Sequence, residues 1–185
     1  PLAGPVVAAA VIFPVGFAID SRELEKIKDS KKLSSRQREK LFTLIKEKAV
    51  TVSIATIGHA RIDQINILQA SLLAMRQAVN TLNVQPDYVM VDGKFKIPEL
   101  DIPQEAIIDG DAQVFAIAAA SIIAKVSRDY LMNLLDEKYP DYKFRQHKGY
   151  GTKQHLEILK KFGPSPIHRR SFEPLKSQLA KRRKK

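Results

Sequence analysis

Apolar and polar positions along the chain switch repeatedly between two periods, and the switches predict strands alternating with helices. Residues 6–13 are apolar almost throughout, the pattern of a buried strand, and residues 50–57 alternate with period two. Between them lie a short helical stretch at 21–28 and a polar loop, Asp29-Ser30-Lys31-Lys32-Leu33-Ser34. Ser34 stands before Leu41, Phe42, Leu44 and Ile45 at helical spacing, so its hydroxyl is placed to cap a helix ending near Lys48. Residues 65–82 gather Ile67, Leu68, Leu72, Leu73, Met75, Ala78 and Val79 on one side of an amphipathic helix.

The stretch from 86 to 129 holds the most apolar segments and the least expected acids. Tyr88-Val89-Met90-Val91, bounded by Pro86 and by Asp92-Gly93, predicts a strand buried on both faces. Ala106-Ile107-Ile108 predicts a second strand ending in Asp109-Gly110-Asp111. From Ala112 the chain is strong helix-forming material, apolar almost all round up to Ala124 and continuing to 138, which predicts a buried helix. Strands alternating with helices imply an α/β layered domain. In open α/β sheets chemistry collects at strand ends, which singles out Asp92 and Asp111. Each also has a plain reading, since Asp-Gly is turn chemistry and Gly-Asp a helix cap. If 106–111 is extended, Asp109 shares a face with Asp111.

Tyr139-Pro140 breaks the helical pattern, and Gln146-His147-Lys148-Gly149-Tyr150-Gly151-Thr152 follows as a loop. Its glycines free the backbone for close approach to a partner, and Thr152 can cap a helix through Lys161. His168-Arg169-Arg170-Ser171-Phe172-Glu173-Pro174 is a second basic loop, followed by a short helix to about Ala180. The length of 185 residues suits one domain over 1–180, its C-terminal helical part covering about 139–180, with a basic tail at 181–185. With no cysteine there is no disulfide framework, and a cytoplasmic location is expected. Neither a membrane span nor a signal peptide is expected.

Charge changes the picture once it is located. The net +11 is carried by the last quarter: residues 1–138 balance 17 basic against 17 acidic side chains, residues 139–170 hold 8 against 2, and 181–185 add five. Tyr139, Tyr142, Phe144, Tyr150, Phe162 and three of the four histidines are interleaved there. Basic and aromatic residues together suit phosphates plus stacking on sugars or bases, although a solvated basic face is the plain alternative. Clustered carboxylates in such a protein suggest metal ions at a phosphodiester.

Several segments, taken in order, resemble ribonuclease HII: Pro1-Leu2-Ala3-Gly4-Pro5-Val6, Asp29-Ser30-Lys31-Lys32-Leu33-Ser34, Val91-Asp92-Gly93, Gly110-Asp111, the run from Ala119 to Asp129, His147-Lys148-Gly149-Tyr150 and His168-Arg169-Arg170-Ser171-Phe172. The resemblance implies a ribonuclease H-like α/β fold, a mixed central sheet flanked by helices with C-terminal helices completing the substrate groove. It implies Asp92 and Asp111 as two of four catalytic, metal-binding carboxylates for two Mg²⁺ or Mn²⁺ ions, and Tyr150 as a ring stacking near a DNA–RNA junction. Ser30, Lys31, Lys125, Arg128, Lys148 and Arg170 become expected phosphate contacts. Asp129, beside Arg128, is expected to be a structural ion pair.

The implied activity is cleavage of RNA in RNA–DNA hybrids, or 5′ to a ribonucleotide embedded in duplex DNA, by a monomer without membrane association. Two departures stand out. The family's Asp-Glu pair and Gly-Arg-Gly loop would precede Pro1, so the 185 residues alone are expected to be marginally folded and to cleave nothing measurable. Asp109 stands where the family more often has a base. A non-catalytic nucleic-acid-binding module of the same fold is the alternative. An RNA-associated structural protein would explain the tail but not Asp92 and Asp111.

Overall fold

A computed structural model describes residues 1–19, 22–25, 27 and 33–182. Four strands, β1 (Val6–Ile12), β2 (Thr51–Ile57), β3 (Val89–Asp92) and β4 (Gln104–Ile107), occur among the described residues. Eight α-helices accompany them among the described residues: α1 (Arg22–Glu25), α2 (Ser35–Lys48), α3 (His59–Asn80), α4 (Gly110–Gln113), α5 (Phe115–Lys138), α6 (Phe144–His147), α7 (Lys153–Phe162) and α8 (Leu175–Arg182). The architecture is α/β, with β1 paired to β2 and β3 paired to β4. Packing divides the chain into two compact units: Val7–Thr56 with Ser71–Ser127, and Pro1–Val6 with Ile57–Ala70 and Arg128–Lys185.

In the first of these units the caps and periods act as expected. Ser34 accepts the Gln37 N–H while the Gln37 side chain accepts the Ser34 N–H, so the predicted cap is a full capping box. The box orients α2 so that Leu41 and Ile45 meet Ala118, Ala119, Ile122 and Ile123 of α5, with Leu24, Ile27 and Leu33 closing the cluster. Phe13, Phe17 and Phe115 stack at its margin, with ring centroids 4.7 to 5.7 Å apart. β3 and β4 run parallel, Val91 opposite Ala106 and Asp92 opposite Ile107. Against the expectation of a strand buried on both faces, only Val91 of β3 is buried; Met90 and Tyr88 are 42% and 51% exposed. The residues alternate. Val89 and Val91 turn toward Val79, Ile97 and Met75, and Met90 turns the other way.

The expected helix at 65–82 begins earlier, at His59, and is broken at Asn66 (φ 68°, ψ 168°). Asn66 acts there as an internal cap, its Oδ1 accepting the Gln69 N–H at 3.1 Å. The long apolar helix is also divided. Val114 is extended (φ −117°, ψ 119°), so a four-residue α4 precedes α5.

In the other unit, residues 2–4 lie against two loops. The Leu2 N–H donates to the Gly149 carbonyl, the Leu2 carbonyl accepts the Arg169 N–H, and the Gly4 N–H donates to the Ile167 carbonyl. Gly149 (φ +79°) sits so close that a Cβ on it would stand 2.6 Å from the Ala3 carbonyl oxygen. The partner this loop approaches is therefore the chain's own N-terminal segment. Met132, Phe144 and Ile167 pack with Ala3, and Leu159 and Leu175 with Leu2.

Candidate active site

Asp92 and Asp111 are brought together by one glycine. β3 ends at Asp92, as expected, and its Oδ1 accepts the Gly110 N–H at 3.0 Å. A Cβ on Gly110 would lie 2.7 Å from Ile117 Cδ1 and 3.4 Å from both Asp92 Oδ1 and Ile107 Cβ, so only glycine fits this approach unstrained. Asp111 follows directly, 8% exposed in the first turn of α4, while Asp92 is exposed. Asp111 does not end a strand, because β4 stops at Ile107 and Asp109 is left-handed (φ 52°, ψ 38°). Asp109 and Asp111 therefore do not share a strand face, and Asp109 is an exposed loop acid.

Among the described residues no group of three or more His, Asp or Glu side chains is placed to hold a metal ion. The pair Asp92 and Asp111 offers hard carboxylate oxygens, the donor type that Mg²⁺ and Mn²⁺ take. The hydrogen bond from Gly110 orients the Asp92 carboxylate and leaves lone pairs for a ligand.

The second group of expected residues lies mostly in the other unit, with Lys125 on α5 in the unit of Asp92 and Asp111. The Tyr150 ring is 44% exposed, with the Arg128 guanidinium 5.5 Å from its centroid. Arg128 itself, expected at a phosphate, is only 8% exposed and donates to the Pro5 carbonyl at 3.1 Å and the Ala3 carbonyl at 3.2 Å. Burial pushes its pKa down, while Tyr150 and Asp129 favour the charged form. Lys148, left-handed at the end of α6, donates to Asn133 Oδ1. Lys125 is half-buried on α5. Arg170 is exposed, whereas its neighbour Arg169 is 1% exposed and donates to the Gly4 and Pro5 carbonyls at 3.0 and 3.1 Å. Ser30 and Lys31 lie outside the described residues, as do residues 183–185 of the tail.

Asp63, which the sequence pattern did not single out, fastens the second basic loop. Its carboxylate accepts the Arg170 N–H at 2.8 Å and the Ser171 N–H at 2.9 Å, together with the Ser171 hydroxyl. Burial raises its pKa, but these bonds outweigh it and hold the carboxyl below its usual range. Aromatic and histidine residues of 139–170 were expected to offer stacking faces. Most do not: Phe144, His155 and His168 are fully buried, and Tyr142, Phe144 and the three histidines pack on one another. Tyr150 and Phe162 are the large exposed aromatics of that segment, the latter with Lys161 Nζ 4.9 Å above its ring. A sign of this was present in the sequence, since His155 shares a helical face with Ile158 and Leu159.

The sequence model for ribonuclease HII matches residues 1–175. The chain is 53% identical over 179 residues to a ribonuclease HII of Desulfitobacterium hafniense, which covers 97% of this chain and 66% of that protein. It is also 53% identical over 180 residues to one from Idiomarina loihiensis, covering 97% and 93%. Among solved structures, ribonuclease H2 of Pyrococcus horikoshii superposes with a TM-score of 0.80 at 26% identity, covering 100% of this chain and 94% of that one.

Proposed function

The chain belongs to the ribonuclease HII family, and on that premise we propose that the protein is a metal-dependent endoribonuclease acting on RNA joined to or paired with DNA. It cuts the RNA strand of hybrids and the phosphodiester 5′ to a ribonucleotide embedded in duplex DNA. The products carry 3′-hydroxyl and 5′-phosphate ends. The observation that supports this reading is the Asp92 Oδ1 to Gly110 N–H bond at 3.0 Å, which ties the end of β3 to the residue that directly precedes Asp111.

Asp92 and Asp111 would hold the divalent ions; when bound, these supply an activated water and charge stabilisation at the leaving 3′-oxygen. What the protein contributes is placement. Gly110 fixes the Asp92 carboxylate, and the burial of Asp111 favours its use as a ligand over its hydration. Recognition falls to the loops. The exposed ring of Tyr150 offers a face for a sugar, its main-chain N–H and carbonyl being tied into the loop, and Arg170 presents a charge from a backbone that Asp63 clamps. Lys125 and Lys148 are the further phosphate contacts of this reading, with Ser30 and Lys31. Arg128 supports Tyr150 from within instead of reaching a phosphate.

The test is to incubate the full-length protein with a duplex carrying one ribonucleotide, with Mg²⁺ or Mn²⁺, and to map the cut. Cleavage 5′ to the ribonucleotide, dependent on the ion, is expected. Binding without cleavage would leave a nucleic-acid-binding module of this fold.

A further inference from the structure

Three histidines near Tyr150 form hydrogen bonds whose direction can be read from their partners. Gly149 N–H donates to His147 Nδ1 at 3.2 Å, so the His147 proton is on Nε2, which donates to the Tyr142 carbonyl at 2.9 Å. Ser165 N–H donates to His168 Nδ1 at 2.9 Å, so the His168 proton is also on Nε2. That nitrogen lies 3.0 Å from His155 Nε2. The other ring nitrogen of His155 is 2.9 Å from the Tyr150 carbonyl, which can only accept, so His155 carries its proton on Nδ1 and receives the His168 proton at Nε2. Each ring is thus neutral and each tautomer is determined. His155 and His168 are fully buried, His147 stacks on His155 at 4.1 Å, and Phe144 closes over His155 edge-on.

We propose that His168 and His155 are positioning residues for Tyr150, a two-histidine relay that sets the main chain from which the exposed ring projects. The Tyr150 carbonyl accepts from His155 and from the Thr152 N–H at 2.8 Å, while its own N–H donates to the His147 carbonyl at 2.8 Å. The backbone on both sides of the ring is therefore held by the relay or its stacked neighbour. Neither histidine reaches the substrate. Their effect passes through the ring, and it falls on the discrimination of a DNA–RNA junction while leaving general duplex attraction alone. The inference rests on the reading of Tyr150 given above.

The experiment measures affinity of the full-length protein for a junction duplex and an all-DNA duplex, with a melting curve for each variant. His155→Leu, similar in bulk but without a donor, is expected to lower the junction preference about fivefold or more, the lower end of a lost stacking contact. All-DNA affinity should be unchanged. His155→Asn, whose amide can replace the Nδ1 donor, is expected to keep the preference, which a merely structural role for the ring would not explain. His155→Leu in a Tyr150→Ala background should add no further loss of preference. If His155→Leu is too unstable, His168→Leu removes the proton that directs His155 and should also lower the preference. Loss of preference in Tyr150→Ala but not in the histidine variants overturns the relay. Full preference in Tyr150→Ala overturns the reading of Tyr150, and the relay's role with it.

Discussion

At the scale of single residues, neighbours of identical type have opposite fates. Arg169 is buried among carbonyls, and burial, with Arg128 beside it, pulls its pKa down to about 10; Arg170 stands in solvent. No period in a loop sequence separates such a pair, so composition made all of 139–170 look like surface. Tyr150 was legible because a large ring between two glycines has little to pack on. Tyr150→Ala should therefore lose junction preference more than general affinity, by about 1–3 kcal/mol, as measured by titration of junction and all-DNA duplexes. Of the buried histidines, only His155, on a helical face with Ile158 and Leu159, carried a sign of the core in the sequence. Burial, with the neighbouring histidines, lowers the pKa of His155 and His168 to about 4, against about 6.5 when unfolded. Between those values the unfolded chain binds more protons, so stability is fully present above about pH 6.5 and falls as the pH drops toward 4. The slope should approach about 1.4 kcal/mol per pH unit for each histidine. Urea melts from pH 7 to pH 4 check this, and a flat profile would contradict it.

At the scale of elements, caps and periods carried most of the fold. Ser34 and Thr152 begin α2 and α7 where their hydroxyls predicted, and β2 alternates in burial as its sequence alternates in polarity. What was not legible was the division of α4 from α5, since helix-forming residues run across it and only the extended Val114 marks it. That division matters because it puts Asp111 in the first turn of α4, next to the glycine bonded to Asp92, in place of ending a strand. Gly110→Ala should push a methyl against Ile117, costing about 1–3 kcal/mol of stability and disturbing the Asp92 bond. Turnover should fall in step. Adding Ile117→Val, which removes the clashing methyl, should recover both melting temperature and turnover; no recovery would show that Gly110 matters for another reason.

At the scale of the whole molecule, the uneven charge was the most informative feature of the sequence, although half of its reasoning needed revision. The basic surplus of 139–170 survives as exposed side chains such as Arg170, while the aromatic residues interleaved with it largely serve packing. No described helix is long and apolar enough to cross a membrane. Duplex affinity should fall steeply with salt, by about 0.9 log units per log unit for each neutralised phosphate. Removing residues 181–185 should leave that slope little changed, whereas its collapse would assign the binding to the tail.

The central claim is that Asp92 and Asp111 act as one metal-binding pair. Its most direct test compares Asp92→Asn and Asp111→Asn with the parent in the full-length protein, reading cleavage of a single-ribonucleotide duplex in Mg²⁺ or Mn²⁺ beside hybrid affinity. An amide keeps the shape of each side chain and removes its charge, so both variants should lose cleavage and hold their hybrid affinity within a few-fold. Near-normal turnover in either one would remove that residue from the site and contradict the account.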